Sequence, residues 1–384
     1  MLIDDLRAGL ADLDSRALRR RRRSLETQCS PRAVIDGRPM LAFCSNDYLG
    51  LASEPLLAEA LAEGARLWGS GSGASALVSG HYAVVDELEQ ALAAFCGTER
   101  ALAFGTGYLA NLGILPAFSG RGDEIFADRL NHASLVDAAL LARATLTRYP
   151  HCDLDRLEHA LAHSTARRKL IVSDAVFSMD GDIAPLPALL DLAERHDAWL
   201  VVDDAHGFGV LGPGGRGSVA HFGLSSWRLI YMGTLGKAAG VAGAFVAGNA
   251  DVIEWLMQKA RSYVFTTAPP PALSHALLCS LRLIEDGTSR RNHLQALIAT
   301  LTGHLDLQRW HLLSSRTPIQ PIVIGDNQRT LDVAARLQQE SIWVPAIRPP
   351  TVPVGSARLR ISLTAAHTHE DVLRLTDTLN GLAP

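Results

Sequence analysis

Three apolar runs, each ended abruptly by small or polar residues, constrain the fold of this chain more than any other feature. They lie in the segments LIVSDAVFSMDGD (170–182), AWLVVDDAHGFG (198–209) and RLIYMGTLGKAAG (228–240). Short runs rich in valine, isoleucine and leucine are typical of buried strands. Amphipathic segments such as PALLDLAERHD (187–197) separate them. This alternation predicts an α/β fold whose large domain contains a mostly parallel sheet flanked by helices.

Polar side chains follow directly after these three runs. Asp203 and His206 come after the second run, Thr234 and Lys237 after the third, and Ser178 after the first. Since open parallel sheets bind ligands outside the carboxyl ends of their strands, we expect these side chains to converge. Pyridoxal 5'-phosphate (PLP) requires an amine that forms a Schiff base and a carboxylate that keeps the pyridine nitrogen protonated. The sequence therefore predicts PLP as the cofactor.

Further residues are candidates for contacts with this cofactor. The stretch ALAFGTGYLANLG (101–113) predicts a strand, a glycine turn and a helix. A helix N-terminus offers free N–H groups to a phosphate, and Gly107 and Tyr108 would supply them. His132 is a candidate for stacking on the cofactor ring. A second glycine-rich stretch, GSGSGASALVSGHY (69–82), is either a flexible loop or a second wall of the same site, and the sequence leaves both open.

Composition excludes several other classes of protein. The net charge of −4 argues against general nucleic-acid binding. No stretch approaches the ~18 uninterrupted apolar residues of a membrane span, and the N-terminus shows no signal peptide. The five cysteines form no C-x-x-C motif, which fits a reducing compartment and no metal site. We therefore expect a cytoplasmic protein.

A run of five arginines, Arg19 to Arg23, stands apart from the rest of the sequence. Taken alone, it suggests a nucleic-acid patch or a targeting signal. We favour the polar end of an amphipathic first helix, with an apolar stripe beneath it formed by Leu2, Leu6, Leu10, Leu13 and Leu18. One of these arginines remains a candidate for contact with a substrate carboxylate.

We expect three segments along the chain. They are an N-terminal helical arm with a short strand (1–45), a large PLP-binding domain (46–287) and a small C-terminal α/β domain (288–384). The small domain has predicted strands near PIQPIVIGD (318–326) and SARLRISLT (356–364). Its last helix is EDVLRLTDTLN (370–380), with His367 or Thr368 near the cap.

Six motifs resemble, in order and spacing, the α-oxoamine synthases, which are PLP-dependent enzymes of the aspartate-aminotransferase fold (fold type I). The motifs are SNDYLGL (45–51), DRLNHASL (128–135), VFSMDGD (176–182), VDDAHGFGVLG (202–212), GTLGKAAG (233–240) and AIRPPTVPVGSARLR (346–360). The resemblance covers nearly the whole chain. Within the family, IQPIVIGDN (319–327) followed by AIRPPTVP (346–353) looks most like the members that condense L-alanine with a pimeloyl thioester in biotin biosynthesis.

The resemblance implies a role for each matching residue. Lys237 would form the Schiff base, Asp203 would pair with the pyridine nitrogen, and His132 would stack on the ring. His206 and Ser178 would contact the phenolic oxygen. Phosphate contacts would come from Gly107, Tyr108 and Thr234 and, from the second subunit of a homodimer, Thr266 and Thr267. Substrate contacts would come from Arg360 and Asn46 at the amino acid, and from Thr351 and an arginine of the run, with Arg19 favoured, at the acyl substrate.

Two departures from the family pattern and several alternatives stay open. Asp174 stands where relatives usually carry glutamate. Ala76 and Leu77 stand where relatives often have glycine and a basic or imidazole side chain. The alternatives in function are a sister synthase that uses glycine and another acyl-CoA, an aminotransferase of the same fold, and a non-catalytic PLP-binding sensor domain. The acyl carrier is either CoA or an acyl carrier protein.

Overall fold

The structure, a computed structural model, describes residues 1–382, which form two compact units. Unit 1 consists of Met1–Gly50, Ser178–Asp182 and the C-terminal part from Ser289. Unit 2 consists of Leu51–Phe177 and Ile183–Thr288. This division differs from the predicted boundaries, which separated the N-terminal arm from the C-terminal domain and placed Ser178 in the large domain.

The strands follow the apolar runs of the sequence. Their bounds are β1 (Arg32–Ile35), β2 (Arg38–Ala42), β3 (Arg100–Phe104), β4 (Glu124–Asp128), β5 (Thr145–Tyr149), β6 (Lys169–Asp174), β7 (Ala198–Asp203), β8 (Leu229–Thr234), β9 (Ala244–Gly248), β10 (His311–Leu312), β11 (Ile319–Gly325), β12 (Ile342–Trp343), β13 (Ala346–Ile347) and β14 (Ala357–Ser362).

The α-helices occupy most of the remaining chain. Their bounds are α1 (Leu2–Ser15), α2 (Pro55–Trp68), α3 (Ala83–Cys96), α4 (Gly107–Phe118), α5 (Ala133–Ala142), α6 (Leu154–His163), α7 (Leu186–Arg195), α8 (Ser218–His221), α9 (Ala250–Lys259), α10 (Arg261–Val264), α11 (Pro271–Glu285), α12 (Thr288–His304), α13 (Asn327–Gln339) and α14 (His369–Leu382). A π-helical turn (Ala76–Gly80) and a 3-10 turn (Pro213–Gly215) lie in glycine-rich segments.

Unit 2 is built around a seven-stranded sheet with the order β3-β9-β8-β7-β6-β4-β5. The strands β5, β4, β6, β7 and β8 are mutually parallel, and β9 is antiparallel to both of its neighbours. The central strand β7 is covered on both faces, which explains its near-continuous apolar sequence. The predicted, mostly parallel sheet is therefore confirmed.

The core of unit 2 places α4 and α5 against this sheet. Helix α4 is apolar on nearly all sides, and its buried residues pack with those of α5, β8 and β9 in one cluster that includes Ile114, Leu135, Met232 and Val246. A helix that is apolar all round belongs in a protein interior. This packing brings the N-terminal end of α4 close to the carboxyl end of β8. There, Gly107 lies against Thr234.

Unit 1 contains two smaller sheets. The first has the order β1-β2-β12, and the second is antiparallel with the order β10-β11-β14-β13. Strand β12 pairs in parallel with β2, and this pairing joins the N-terminal arm to the C-terminal part of the chain. It is the physical reason why the predicted boundary after residue 45 does not separate two units.

Several predicted elements of unit 1 are confirmed. The strands near 318–326 and 356–364 are β11 and β14, and the last helix is α14. Thr368 caps this helix, because its hydroxyl accepts a hydrogen bond from the Asp371 N–H at 3.2 Å while the Asp371 carboxylate accepts one from the Thr368 N–H at 2.8 Å. This reciprocal arrangement is a capping box.

The N-terminal helix differs from the prediction. Helix α1 ends at Ser15, so the arginine run follows the helix and is not its polar end. No residue of α1 is buried; Leu2 is 74% exposed, and the stripe of Leu6, Leu10 and Leu13 is exposed as well. The spacing of the leucines predicted the helix correctly. Its apolar face, however, stays exposed among the described residues. Among residues 1–382, no helix is long and apolar enough to cross a membrane.

Candidate active site

The carboxyl ends of three neighbouring parallel strands carry the predicted polar side chains of unit 2. Strands β6, β7 and β8 end at Asp174, Asp203 and Thr234. In the register of the sheet, Asp174 lies opposite Asp203, and Asp203 lies opposite Met232. The structure thus brings the ends of these strands together as the sequence predicted.

Lys237 lies beside His206 in the loops that follow these strands. The Lys237 Nζ atom is 3.1 Å from the His206 Nε2 atom, within hydrogen-bond distance. His206 is buried, and Lys237 is half-buried. The Thr234 hydroxyl donates to the Ala205 carbonyl oxygen at 3.2 Å, which ties the two loops together. An amine and an imidazole in this arrangement can exchange a proton.

Asp203 is buried, with 5% of its surface exposed, and both of its carboxylate oxygens accept hydrogen bonds. Oδ1 accepts from the Ala205 N–H at 3.1 Å, and Oδ2 accepts from the Asn111 Nδ2 atom at 2.7 Å. These two donors fix the orientation of the carboxylate at the end of β7.

His132 caps the N-terminus of α5 and is held by Asp174. The His132 N–H donates to Asp174 Oδ2 at 2.8 Å. Burial lowers the pKa of His132, an effect that the Asp203 charge opposes. Burial, reinforced by the Asp203 charge, raises the pKa of the Asp174 carboxyl well above its ordinary value. Asp174, the departure from the family pattern, therefore contacts the backbone of a predicted site residue directly.

The glycine turn after β3 leads into the N-terminus of α4, as predicted. Helix α4 begins at Gly107, and the Thr106 hydroxyl accepts a hydrogen bond from the Leu109 N–H at 3.2 Å. A Cβ atom on Gly107 would lie only 2.7 Å from the Thr234 Cγ2 atom. Only glycine leaves room for this approach, so the free N–H groups of α4 and the Thr234 side chain lie next to each other.

The hydroxyl of Tyr108 contacts helix α5. Tyr108 is 42% exposed, and its hydroxyl donates to Asp137 on α5. This hydrogen bond is the main reason why the pKa of Tyr108 is raised. The predicted contribution of Tyr108 to phosphate binding concerns its backbone N–H, which the hydrogen bond to Asp137 leaves unaffected.

Thr266 and Thr267 lie in the segment between α10 and α11 of unit 2. They line a small cavity together with Gly80, Gly105 and Ser274, and Thr267 forms an isolated β-bridge with Ser75 of the second glycine-rich stretch. That stretch is ordered backbone in part, since it includes the π-helical turn. Phe265, which directly precedes Thr266, is 70% exposed.

In unit 1, Arg360 brings together two other predicted residues. It lies on β14 and is 5% exposed. Its Nε atom donates to the Ser178 carbonyl oxygen at 2.5 Å, and its Nη1 atom donates to Asn46 Oδ1 at 3.1 Å and to Ser362 Oγ at 2.8 Å. These three acceptors are all neutral, which suits a guanidinium group that binds a carboxylate from outside the chain.

Of the two candidates Arg19 and Arg20, it is Arg20 that contacts Thr351, although the sequence favoured Arg19. Arg20 Nη2 donates to Thr351 Oγ1 at 3.2 Å. Arg19 instead forms an ion pair with Asp14, with Nη1 2.6 Å from Oδ2. Because α1 ends before the run, the backbone turns so that these consecutive arginines point to different partners.

Sequence reasoning missed Asn111 and Ser134. Both are fully buried, and Asn111 donates to Ser134 Oγ at 2.9 Å as well as to Asp203. A signal was present for Asn111, because it is a lone amide in the otherwise apolar segment GYLANLGILP (107–116). A buried amide in such a segment needs polar partners.

The residues of unit 2 fit PLP. The set contains a half-buried amine, a buried and oriented carboxylate, an imidazole, and a helix N-terminus where glycine alone can be accommodated. Lys237 would form the Schiff base, Asp203 would pair with the pyridine nitrogen, and the N-terminus of α4 with Thr234 would receive the phosphate.

Comparisons with known proteins identify the family of this chain. The model of the family "Aminotransferase class I and II" matches residues 38–379. This chain belongs to that family. It is 70% identical over 382 residues to an 8-amino-7-oxononanoate synthase from Aromatoleum aromaticum, covering 100% of this chain and 99% of the relative. It is 67% identical to the synthase of the same name from an Azoarcus species, covering 99% of this chain and 98% of the relative.

Solved structures are similar along most of the chain. A serine palmitoyltransferase from S. paucimobilis with a bound PLP–myriocin aldimine has a TM-score of 0.92 at 30% identity, covering 98% of this chain and 96% of that one. An 8-amino-7-oxononanoate synthase from Francisella tularensis has a TM-score of 0.78 at 32% identity, covering 89% and 97%. The predicted type I fold, the PLP cofactor and the resemblance to PLP-dependent acyltransferases are confirmed.

Proposed function

We propose that this enzyme condenses L-alanine with a pimeloyl thioester, giving 8-amino-7-oxononanoate, carbon dioxide and the free carrier thiol in biotin biosynthesis. The observation that carries the proposal is the similarity along the whole chain to relatives named 8-amino-7-oxononanoate synthase. The site adds physical support, because its residues match the needs of the reaction one by one. A cytoplasmic location remains a prediction.

Arg360 is proposed to bind the carboxylate of L-alanine, with Asn46 beside it. A buried guanidinium group with neutral hydrogen-bond partners retains its full charge for an anionic ligand. Asn46 Oδ1 also accepts from the Tyr48 hydroxyl at 3.2 Å, which fixes the amide. A carboxylate held in this way limits the rotation of the amino acid, so that its Cα–H bond points in one direction. Ser178, whose carbonyl oxygen accepts from Arg360, keeps its proposed contact with the phenolic oxygen through its hydroxyl.

Lys237 is proposed to be the general base for the Cα proton. PLP, when bound, supplies an aldehyde for Schiff-base formation and an electron sink. The Lys237 Nζ atom takes the proton, and His206 Nε2, 3.1 Å away, is placed to share it. Asp203 would keep the pyridine nitrogen protonated, and His132 would lie on the ring face.

Arg20 and Thr351 are proposed to contact the acyl substrate. Their hydrogen bond places a guanidinium group and a hydroxyl together on the surface of unit 1. Arg20 carries a positive charge that suits either the distal carboxylate of the pimeloyl chain or a phosphate of the carrier. Both CoA and an acyl carrier protein carry such phosphates, so the carrier is left to experiment.

The enzyme is proposed to act as a homodimer in which Thr266 and Thr267 reach the cofactor phosphate of the other subunit. The exposure of Phe265 next to these threonines, and of the leucine stripe on α1, supports a partner for these surfaces. Sedimentation with the PLP-loaded protein tests the dimer, and a monomer with full activity would contradict it.

The decisive experiment measures thiol release by the PLP-loaded protein with pimeloyl-CoA and either L-alanine or glycine, with mass spectrometry of the product. We expect release with L-alanine and the mass of 8-amino-7-oxononanoate. Release with glycine alone would make the enzyme a sister synthase. If neither amino acid gives release, the same pair is offered with the pimeloyl group on an acyl carrier protein, and failure there as well would refute the proposal.

A further inference from the structure

A buried chain of hydrogen bonds links two of the proposed cofactor contacts. Asn111 Nδ2 donates to Asp203 Oδ2 at 2.7 Å and to Ser134 Oγ at 2.9 Å. Ser134 Oγ lies 2.7 Å from His132 Nδ1. Asn111 and Ser134 have almost no exposed surface. The side chains that connect Asp203 with His132 are therefore shielded from solvent.

The positions of the protons in this chain follow from its donors. The Ser134 backbone N–H can only donate, and it points at His132 Nδ1 at 3.3 Å. His132 Nδ1 therefore carries a lone pair, and the proton of the neutral imidazole lies on Nε2. The Ser134 hydroxyl accepts from Asn111, so its own proton is available for His132 Nδ1. The burial that lowers the pKa of His132 agrees with a neutral ring.

The orientation of the Asn111 amide follows from the charge of Asp203. A rotation that exchanged Nδ2 and Oδ1 would place the carbonyl oxygen against a carboxylate oxygen and remove a donor from both partners. In the orientation present, Oδ1 is buried and accepts no hydrogen bond from any residue within 1–382. A buried acceptor left unpaired opposes folding. The presence of this amide is therefore explained by the two hydrogen bonds that its nitrogen donates, to Asp203 and to Ser134.

We propose that Asn111 is a positioning residue that couples Asp203 to His132: it orients the carboxylate directly and, by donating to Ser134 Oγ, orients the hydroxyl that contacts the unprotonated Nδ1 atom of the imidazole. The proposal rests on the proposed roles of Asp203 at the pyridine nitrogen and of His132 at the ring face. A single amide then sets the hydrogen bonding at the edge of the ring and at its face. A neutral His132 adds no positive charge beside a ring whose nitrogen is protonated.

The test uses the PLP-loaded protein and two readouts other than activity. The first is the dissociation constant for PLP, and the second is the ¹⁵N NMR signals of His132, assigned by their loss in His132→Gln. The variants are Asn111→Ala, Ser134→Ala and the double variant. Ser119→Ala is the matched control, because this serine is also buried and its hydroxyl donates to the Leu115 carbonyl oxygen of α4, the helix that Ser119 directly follows.

We expect Asn111→Ala to weaken PLP binding roughly tenfold or more, since a hydrogen bond to a charged group is lost. Ser134→Ala should shift the His132 Nδ1 signal while Nδ1 stays unprotonated, because the backbone N–H remains. In the double variant, the loss of affinity should be smaller than the product of the two single losses, as for residues of one network. Ser119→Ala should change neither readout.

The coupling would be overturned if the losses of PLP affinity in the two single variants multiply in the double variant. A proton on His132 Nδ1 in the unmodified protein would overturn it as well. Asp203→Asn separates this outcome from failure of the proposed function. If that variant binds PLP as tightly as the unmodified protein, the proposed role of Asp203 is wrong, and the coupling with it. If it binds PLP weakly while a folded Asn111→Ala protein binds normally, the role of Asp203 stands and the inference about Asn111 is refuted.

Discussion

Replacement of Asp204 by asparagine should change how the stability of the protein depends on pH. Asp204 follows Asp203 and has no exposed surface. Its carboxylate accepts from the Ser218 N–H and hydroxyl, both at 2.6 Å, and from the Tyr231 hydroxyl at 2.9 Å. Burial, opposed by these hydrogen bonds and reinforced by the Asp203 charge, raises the pKa of Asp204 from 3.8 to about 6.

The sign follows from proton binding. The folded protein holds a proton on Asp204 more tightly than the unfolded chain does, so the resulting stabilisation is complete below the unfolded pKa. It is lost as the pH rises through about 6. A pKa difference of one corresponds to about 1.36 kcal/mol, so the contribution lost is on the order of 3 kcal/mol. The Asp204→Asn protein lacks this titration.

The assay is the free energy of unfolding by urea, measured for both proteins between about pH 4 and about pH 7. The unfolding free energy of the unmodified protein, relative to that of Asp204→Asn, should fall by on the order of 3 kcal/mol as the pH rises across this range. Asp36→Asn is the control, because hydrogen bonds from Ser24 and Arg23 lower the pKa of the exposed Asp36, and its contribution is therefore lost as the pH falls. If the difference in unfolding free energy between the Asp204→Asn and unmodified proteins stays constant with pH, the reasoning is refuted.

Three further predictions concern the site. Lys237→Ala should abolish turnover while circular dichroism shows a normal fold; turnover at the ordinary rate would remove Lys237 from the mechanism. Gly107→Ala should weaken PLP binding in equilibrium dialysis and destabilise the protein by roughly 1–3 kcal/mol, because the added Cβ would crowd Thr234. Arg20→Ala should raise the KM for the pimeloyl thioester about tenfold, whereas Arg19→Ala should leave it nearly unchanged; the reverse result would favour Arg19.

The strand ends of unit 2 could be predicted from sequence because two local signals coincide there. Apolar β-branched runs define buried strands, and a parallel sheet brings their carboxyl ends to one edge. Asp203, Thr234 and the N-terminus of α4 were placed in this way. The contact between Lys237 and His206 could not be derived, because it depends on the paths of two loops.

Contacts over long sequence separations could not be predicted from local patterns. The choice between Arg19 and Arg20 depends on where α1 ends, and a run of identical residues contains no signal for that point. The network of Asn111 was missed because its partners lie 23 and 92 residues away. The assignment of Ser178–Asp182 to unit 1 reflects contacts such as that of Arg360 with Ser178, 182 residues away.

The pairing of β2 with β12 also has a consequence for the order of events on the ribosome. Leu41 of β2 lies opposite Ile342 of β12, so about 300 residues must be translated between them. At synthesis rates of about 5–20 residues per second, β2 waits roughly 15 to 60 seconds for this neighbour, with only β1 beside it in the sheet. Unit 2, whose residues end at Thr288, emerges completely within that interval. The nascent chain can therefore build its cofactor-binding sheet before the first fifty residues have their final partners.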